Sequence, residues 1–295
     1  MILRHIRYLI AVAEHGNFTR AAEALHVSQP TLSQQIRQLE DIVGAPLLDR
    51  GGRTVRPTDA GAAYLEYARR ALRELAAAER AIGDVADLSR GRLRLAMTPT
   101  FTCYLLGTLA ERYASRHPGV ELEIREMTQD AMEAALAADE LDLGIAFDAM
   151  RSPDICGQPL FAEKLCVVAG PRHPWRERDR PLETEELEQA PLALLSADFA
   201  TRNHIDDHFR RHGVAPRIAV EANTIGAILE IVRRGAIATI LPEAIARQDP
   251  ALRALALRQP LPTRTAALLR RQNGYQSAAA RACLALLEDM AAQLA

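Results

Sequence analysis

Helix stop and cap signals divide the start of the chain into three short helices. Apolar residues recur at helical spacing until Gly16, which ends the first helix. Asn17 stands where its side chain can cap the second helix, whose paired alanines allow another helix to approach closely. Ser28 can cap a third helix, which carries Pro30 in its first turn. These signals predict a small helical head, residues 1–58, with a tight turn between its second and third helices.

The third helix of the head has a buried stripe and an unusually polar outer face. Leu32, Ile36 and Leu39 are spaced so that they share the buried side. Gln and Arg hydrogen-bond base edges bidentately, while Ser and Thr bind bases or phosphates. The outer side chains are of these types: Gln29, Thr31, Ser33, Gln34, Arg37 and Gln38. Together with the tight turn, this face predicts a helix-turn-helix that binds double-stranded DNA. An ordinary polar face on a helical bundle is the alternative.

A short hairpin at residues 47–57 follows the three helices. Its turn is the glycine pair at 51–52, and Arg50, Arg53 and Arg56 fall at every third position around that turn. Such a wing beside a recognition helix can clamp phosphates or enter a minor groove, although hairpin arginines are otherwise solvated surface. The complete set of predicted DNA-binding residues is Thr19, Arg20, Ser28, Gln29, Pro30, Thr31, Ser33, Gln34, Arg37, Arg50, Arg53 and Arg56.

A long helix is predicted over residues 59–90. Thr58 can cap this helix, and Asp59 suits the positive end of its dipole. Its apolar residues alternate three and four apart and form a heptad seam with one polar interruption: Leu65, Ala68, Leu72, Leu75, Glu79, Ile82 and Ala86. Because a helix of this length has too little to pack against beside a small head, we expect a partner chain to cover the seam.

Residues 91–295 alternate between strand and helix patterns, which predicts α/β lobes with largely parallel sheets. Strands are expected in two series, at 93–97, 120–124 and 141–145, and at 165–168, 192–195, 218–220 and 237–241, with a further strand at 268–269. The clearest helical segments are 101–116, 130–138 and 277–293.

Hydroxyl and amide side chains occur where predicted strands give way to helices. They are Thr98 with Thr100, Thr128 with Gln129, Thr201, and Asn223 with Thr224. Helix N-termini offer unpaired N–H groups and a positive dipole end, so several that converge on one cleft favour an anion. In open α/β sheets that cleft lies at the carboxyl ends of the strands. The alternative is that each side chain merely caps its own helix.

The sequence gives only weak support for metal binding or enzymatic activity. His204, His208 and His212 share one helix face at a spacing that can bind zinc or nickel, but Ile205 and Phe209 mark the buried face, which favours a solvated histidine face and no metal. No dinucleotide-binding glycine motif, phosphate loop or nucleophile elbow is present. We therefore predict no catalytic residue, no cofactor and no enzymatic activity, with an α/β enzyme as the disfavoured alternative.

Cysteine and hydropathy patterns predict a cytoplasmic protein without a membrane partner. The cysteines Cys103, Cys156, Cys166 and Cys283 form no C-x-x-C pair, which indicates reduced thiols, and Cys103 is expected to pack near the cleft. No secretion signal is visible, and no stretch approaches the roughly 20 apolar residues of a membrane span.

Charge is unevenly distributed along a chain whose 38 acidic and 36 basic residues give a formal net charge of −2. Residues 1–58 carry seven arginines against five acidic residues, whereas residues 91–295 carry 24 basic against 27 acidic residues. The near-neutral total excludes a polycationic nucleic-acid coat protein but is compatible with a local basic patch. DNA binding by this chain must therefore rely on placed contacts of the head.

Residues 1–90 resemble LysR-type transcriptional regulators, and the remainder is similar to the effector-binding domain of that family. The motifs that carry the resemblance are Phe18–Ala22, Val27–Pro30, Leu32–Ile36, Leu39–Glu40, Leu47–Arg50 and Thr58–Gly61. Two positions depart from the family pattern, Leu48 where Phe is common and Pro57 where Leu is usual, and both bear on the geometry of the wing.

The resemblance implies an α+β multidomain chain. Residues 1–58 would form an N-terminal winged helix-turn-helix, and residues 59–90 a long linker and dimerisation helix. Residues 91–295 would form a C-terminal two-lobed α/β effector domain, similar to periplasmic binding proteins. Lobe I would comprise about 91–161 and 267–295, and lobe II about 162–266.

A closer resemblance, to cyanate-responsive members of the family, rests on four motifs of the effector domain: Thr98–Thr102, Asp139–Asp142, Gly144–Phe147 and Phe199–Arg202. It implies an activator whose inducer is cyanate or another small anion such as azide. The predicted effector-binding residues are Thr98, Thr100, Phe101, Thr128, Gln129, Phe147, Phe199, Thr201, Asn223 and Thr224.

The expected partners are double-stranded operator DNA, the small anionic inducer, further copies of the chain and RNA polymerase. The copies would form a dimer or, as a homotetramer, a dimer of dimers. The remaining alternative is a cytosolic small-molecule binding protein whose head only oligomerises. The polar recognition face and the arginine hairpin count against that alternative.

Overall fold

The computed structural model describes residues 2–52, 54–84 and 91–294. These fall into two compact units, Met1–Ile82 and Gly83–Ala295. The predictions made for Arg53 and Ala86 lie outside the described residues.

The first unit contains three helices, a two-stranded hairpin and a long helix. Their bounds are α1 Ile2–His15, α2 Phe18–Ala24, α3 Gln29–Val43, β1 Leu48–Asp49, β2 Arg56–Pro57 and α4 Asp59–Asp84. All three predicted caps of this unit are confirmed, including Thr58, whose Oγ1 accepts from the backbone N–H of Gly61 at 2.9 Å. Asn17 Oδ1 accepts from the backbone N–H of Thr19 at 2.8 Å, and Ser28 Oγ accepts from that of Thr31 at 3.3 Å. Gly16, with φ +60°, ends α1 as predicted.

The hairpin is anchored to α3 by one carboxylate. Glu40 Oε1 accepts from the backbone N–H groups of Leu47 at 2.9 Å and Leu48 at 3.1 Å, and its Oε2 accepts from Arg50 at 2.8 Å. The first turn of α4 lies directly against the same segment, since a Cβ at Gly61 would come within 1.9 Å of the Leu47 carbonyl oxygen. Glycine is therefore required at this position, and the hairpin keeps a defined place beside the recognition helix.

The long helix α4 is buried at its start and exposed further along. Leu65 and Ala68 are buried against the head, whereas Leu75 is 44% and Ile82 77% exposed. The second half of the heptad seam thus remains uncovered by the described part of the chain.

The second unit contains two five-stranded sheets. The first has the strand order β4-β3-β5-β12-β6, built from β3 Gly91–Met97, β4 Val120–Glu126, β5 Leu143–Phe147, β6 Ile155–Glu163 and β12 Arg264–Arg271. The second has the order β11-β7-β10-β8-β9, built from β7 Leu165–Ala169, β8 Leu192–Leu195, β9 Ile218–Ala222, β10 Ala238–Pro242 and β11 Arg253–Leu255.

The prediction of largely parallel sheets is wrong. In the first sheet β12 runs antiparallel to both of its neighbours, β5 and β6, and in the second sheet β7 does the same between β10 and β11. The physical reason is the chain path. A single residue, Lys164, links β6 to β7 across the two sheets, and β12 returns the chain to the first sheet in the opposite direction.

Seven α-helices and two 3-10 helices surround these sheets, counted over the described residues of the second unit. The α-helices are α5 Pro99–Tyr104, α6 Leu106–Arg116, α7 Gln129–Ala137, α8 Ala200–His212, α9 Ile225–Arg234, α10 Glu243–Gln248 and α11 Ala278–Leu294, and the 3-10 helices are Pro174–Glu177 and Thr184–Glu188. The segment predicted as one helix over 101–116 is two helices that meet at Leu105. In the described ranges, no helix combines the length and the apolar character that crossing a bilayer requires.

Candidate functional site

The predicted DNA-binding residues of α2 and α3 lie on the outside of the head. All of them are exposed except Ser33, which is half-buried: the exposed ones are Thr19, Arg20, Ser28, Gln29, Pro30, Thr31, Gln34 and Arg37. Gln29, Gln34 and Arg37 make no side-chain hydrogen bond within the described residues, so their polar groups are free for a ligand. Glutamine and arginine side chains can form two hydrogen bonds with the edge of a base pair, so these three residues are suited to that contact.

Two of the hairpin arginines differ in their surroundings. Arg50 forms an ion pair with Glu40 at 2.8 Å, and its guanidinium carbon lies 5.2 Å from the centroid of the Phe18 ring. Arg56 is exposed and has no ion-pair partner among the described residues. Arg50 therefore also connects the hairpin to the helices of the head, whereas the charge of Arg56 is not paired with any described acidic residue.

The second unit contains a cavity of about 490 Å³ at the carboxyl ends of β3 and β5 and the N-terminal ends of α5, α7 and α8. This is the edge at which ligands bind in open α/β sheets. Seven of the predicted effector-binding residues line the cavity: Thr98, Thr100, Thr128, Gln129, Phe147, Phe199 and Thr201.

The other three predicted residues do not line this cavity. Phe101 is fully buried behind it, with its ring centroid 5.2 Å from that of Phe147. Asn223 and Thr224 border a separate cavity of about 240 Å³, which Cys103 also lines. The cysteine was expected to pack near the cleft, but it is exposed in the neighbouring cavity.

Several of the predicted effector-binding side chains form hydrogen bonds with backbone groups of the protein. Thr128 accepts from the backbone N–H of Ala131 at 3.4 Å, and Thr224 from that of Ala227 at 3.2 Å, so these two threonines cap their helices. The Gln129 amide is also committed, since it donates to the Phe147 carbonyl at 3.0 Å and accepts from the Phe147 N–H at 3.2 Å. Gln129 thus holds the end of β5 in place.

Two hydroxyl groups of the cavity wall have no partner. Thr98 is 6% and Thr100 2% exposed, and neither hydroxyl makes a hydrogen bond within the described residues. A buried polar group without a partner costs about 1–3 kcal/mol, which a ligand that hydrogen-bonds it would recover. These hydroxyls are therefore candidate contacts for a polar ligand atom.

The sequence patterns do not reveal the cationic group of the cavity, Arg264. Arg264 is almost fully buried, donates from Nη1 to Thr201 Oγ1 at 3.1 Å and forms an ion pair with Glu163 through Nη2. Its guanidinium carbon lies 3.9 Å from the centroid of the Phe147 ring. Glu163 in turn accepts from the Tyr104 hydroxyl at 3.0 Å. An arginine at the start of an apolar strand is the signal that could have indicated this role.

Burial changes the pKa values of Arg264 and Tyr104. Burial lowers the pKa of Arg264, and the neighbouring Glu163 carboxylate opposes that shift because it stabilises the cation. Burial also raises the pKa of Tyr104, so its hydroxyl stays protonated and donates to Glu163. Arg264, Glu163 and Tyr104 thus form a buried polar chain that starts at the cavity.

The expectation of a solvated histidine face on α8 is wrong for its central member. His208 is 1% exposed, and its ring centroid lies 4.2 Å from that of His212. Burial lowers the pKa of His208 to about 4. The His204 ring nitrogen Nε2 donates to the Pro262 carbonyl at 2.8 Å. Throughout the described residues, no group of His, Cys, Asp and Glu is arranged to hold a metal ion.

A head with an exposed polar face on α3, together with a unit that has a cavity between its two sheets, indicates a DNA-binding protein with a separate domain suited to a small ligand. The family model for the bacterial regulatory helix-turn-helix protein, lysR family, matches residues 3–62, and that for the LysR substrate binding domain matches residues 86–292. The chain therefore belongs to the LysR family of bacterial transcriptional regulators.

Curated relatives cover most of the chain. It is 31% identical over 274 residues to a hydrogen peroxide-inducible genes activator of Dickeya chrysanthemi, a match that covers 92% of this chain and 90% of the relative. It is 30% identical over 235 residues to the HTH-type transcriptional regulator CfxR of Cupriavidus necator. That match covers 80% of this chain and 74% of the relative. These relatives are regulators rather than enzymes, and neither is named for cyanate.

Solved structures show the same architecture. Full-length CbnR complexed with its target DNA is similar at a TM-score of 0.58 and 26% identity, with 99% of this chain and 100% of that chain covered. A full-length OxyR variant from Pseudomonas aeruginosa is similar at a TM-score of 0.69 and 25% identity, with 99% and 94% covered. The predicted fold class, a winged helix-turn-helix followed by an effector domain, is confirmed.

Proposed function

We propose that this LysR-family regulator is an activator that binds operator DNA through α3 and the hairpin and responds to a small molecule with an anionic group. The effector would bind in the 490 Å³ cavity between the two sheets. The observation that carries the proposal is the pair of unpartnered, buried hydroxyls of Thr98 and Thr100 in a cavity that Arg264 also lines. RNA polymerase would be the partner of the DNA-bound form.

The uncovered seam of α4 supports self-association. Leu75 and Ile82 are large, apolar and exposed, and they repeat with heptad spacing. A dimer that pairs these helices would present two recognition helices to successive major grooves of a dyad operator. The homotetramer, a dimer of two such dimers, follows from the family resemblance.

Cyanate and azide are the smallest anions with which to test this site, since each offers acceptor atoms and one negative charge to Arg264 and the threonine hydroxyls. In the double variant Thr100→Val and Thr201→Val, two hydroxyls are removed at nearly constant volume. We expect cyanate at a hundred times its Kd to stabilise the wild-type protein by about 2.7 kcal/mol and the double variant far less.

Operator binding provides the control for this experiment. The double variant should shift the DNA upstream of its own gene in a gel as the wild-type protein does, because both substitutions lie in the second unit. An unchanged thermal response to cyanate in the double variant would refute the site. Absence of sequence-specific DNA binding at moderate salt would refute the proposed operator contacts.

Hydrogen peroxide is the second candidate signal, favoured by the similarity to peroxide-inducible activators. Three of the four thiols of this chain count against it, because the thiolate is the form that reacts. Burial raises the pKa of Cys103, and it raises the pKa of Cys166 and of Cys283 to about 12. Peroxide therefore belongs in the same effector screen as the expected negative.

A further inference from the structure

We infer that the effector is a zwitterion, with one carboxylate held at Arg264 and one protonated amine held at the mouth of the cavity. This inference rests on the proposed function and names the chemical class of its ligand. It comes from three features of the cavity: its volume, the balanced charge of its arginine and the excess of carboxylates at its mouth.

The cavity is large for an anion of three atoms. Its volume of about 490 Å³ corresponds to roughly sixteen water molecules at about 30 Å³ each. Cyanate or azide would leave most of this space to solvent, whereas ligands that fill cavities of this size contain several further heavy atoms. The volume therefore favours a ligand with a second functional group.

The inner end of the cavity offers hydrogen-bond donors and a charge that is already balanced. The cation of Arg264 is paired with the buried Glu163 carboxylate, so the pair as a whole is neutral. The unpartnered hydroxyls of Thr98 and Thr100 add two donors there. Such a site stabilises one carboxylate through hydrogen bonds, but it has no spare positive charge for a second.

The mouth of the cavity carries more acid than base. Asp130, Asp148 and Asp198 line it, and Arg151 is the one cation of this group, paired with Asp130 at 3.0 Å. The Asp148 carboxylate has no partner within the described ranges, and Asp198 accepts only from Ser196 there. Two carboxylates without a cationic partner among the described residues therefore line the cavity, which disfavours a dianion and favours an ammonium group.

These two carboxylates come from elements that belong to different sheets. Asp148 directly follows β5 of the first sheet, and its backbone N–H donates to the Thr265 carbonyl at 3.1 Å. Asp198 precedes α8, which follows β8 of the second sheet. An ammonium group between them would contact both sides of the cavity, so the amine also connects ligand binding to the arrangement of the two sheets.

The test compares five-carbon acids that differ in charge. The probes are pentanoate, glutarate and two amino acids, 2-aminopentanoate and 5-aminopentanoate, titrated into the full-length protein by calorimetry. We expect at least one amino acid to bind about two- to fivefold more tightly than pentanoate, the gain of a partly exposed ion pair. Glutarate should bind more weakly than pentanoate.

Variants identify the groups responsible. Asp148→Asn combined with Asp198→Asn should remove both the preference for the amine and the discrimination against glutarate. Asp130→Asn combined with Arg151→Gln is the matched control, because it removes a carboxylate together with its paired cation, leaves the net charge unchanged and should preserve the order of the probes.

Three outcomes would overturn the inference: glutarate binds as tightly as the amino acids, the amine preference survives in the double variant, or none of the probes binds at 10 mM. Gel shifts with operator DNA are run on the same preparations. Specific DNA binding with any of these outcomes leaves the proposed regulator intact, and its absence counts against the regulator itself.

Discussion

At the scale of single residues, the strongest constraint in the second unit is the ion pair of Arg264 and Glu163. The two residues face each other in register on β12 and β6, and both are nearly inaccessible to solvent. Burying two charges is costly, and their attraction offsets that cost only when both are present and hydrogen-bonded. Tyr104 and Thr201 supply those hydrogen bonds. The pair therefore makes the stability of the second unit depend on a residue of the cavity wall.

Replacing one member of this pair should be severely destabilising. Glu163→Gln leaves the Arg264 cation buried without its counter-charge, and we expect a loss of about 3–5 kcal/mol in the free energy of unfolding, measured by urea denaturation. Glu163→Gln combined with Arg264→Met is the control, since it removes both charges and should recover most of the loss. A loss below about 1 kcal/mol in the single variant would contradict the assigned role.

At the scale of elements, two strands escaped prediction for identifiable reasons. β6 contains Gly157 and Pro159, residues that are rare in strand interiors, but it is the edge strand of its sheet. Its pairing with β12 is irregular at Ala266 and Ala267, where Pro159 is accommodated. β11 has only three residues, too few for a periodic pattern. The helices of the head were predictable because their caps and stripes are local.

The recognition helix α3 can be tested at the level of one base pair. Gln29→Ala should cost about 1–3 kcal/mol at its cognate base pair and little at other positions, because a bidentate contact reads one base. Binding to operator variants with single substitutions, measured by fluorescence anisotropy, gives this profile. Gln38→Ala is the control, since that amide already accepts from Gln35 at 2.9 Å. Equal losses on random DNA would make Gln29 a phosphate contact.

At the scale of the whole molecule, the head is basic and the second unit is mildly acidic. The head carries the proposed DNA contacts, and the second unit carries the proposed effector site. The chain as a whole has a formal net charge of −2, so binding to DNA depends on where its arginines lie. Some of that charge is used internally, as at Arg50 in the hairpin and Arg264 in the cavity. Doubling the head by self-association would supply the affinity that bulk charge does not.

The seam of α4 provides the test of that assembly. Leu75→Asp with Ile82→Asp places two charges on the exposed apolar stripe, and we expect the protein to sediment as a monomer and to lose most of its operator affinity. Tyr67→Asp is the matched control, because Tyr67 is 69% exposed on the same helix but outside the seam. A variant that keeps the wild-type sedimentation coefficient would exclude the seam as the dimer contact.

The sequence by itself determined the local features of this protein, namely the helix caps, the buried stripe of α3 and the glycine that ends α1, and it also determined the family. These depend on neighbours within a few residues, which periodicity and capping chemistry report directly. Only the tertiary structure decided the strand directions and the chemistry of the cavity. Arg264 and Glu163 are about a hundred residues apart in sequence, and they meet because the chain leaves the first sheet after β6 and returns to it as β12. A contact set by chain path leaves no trace in local spacing.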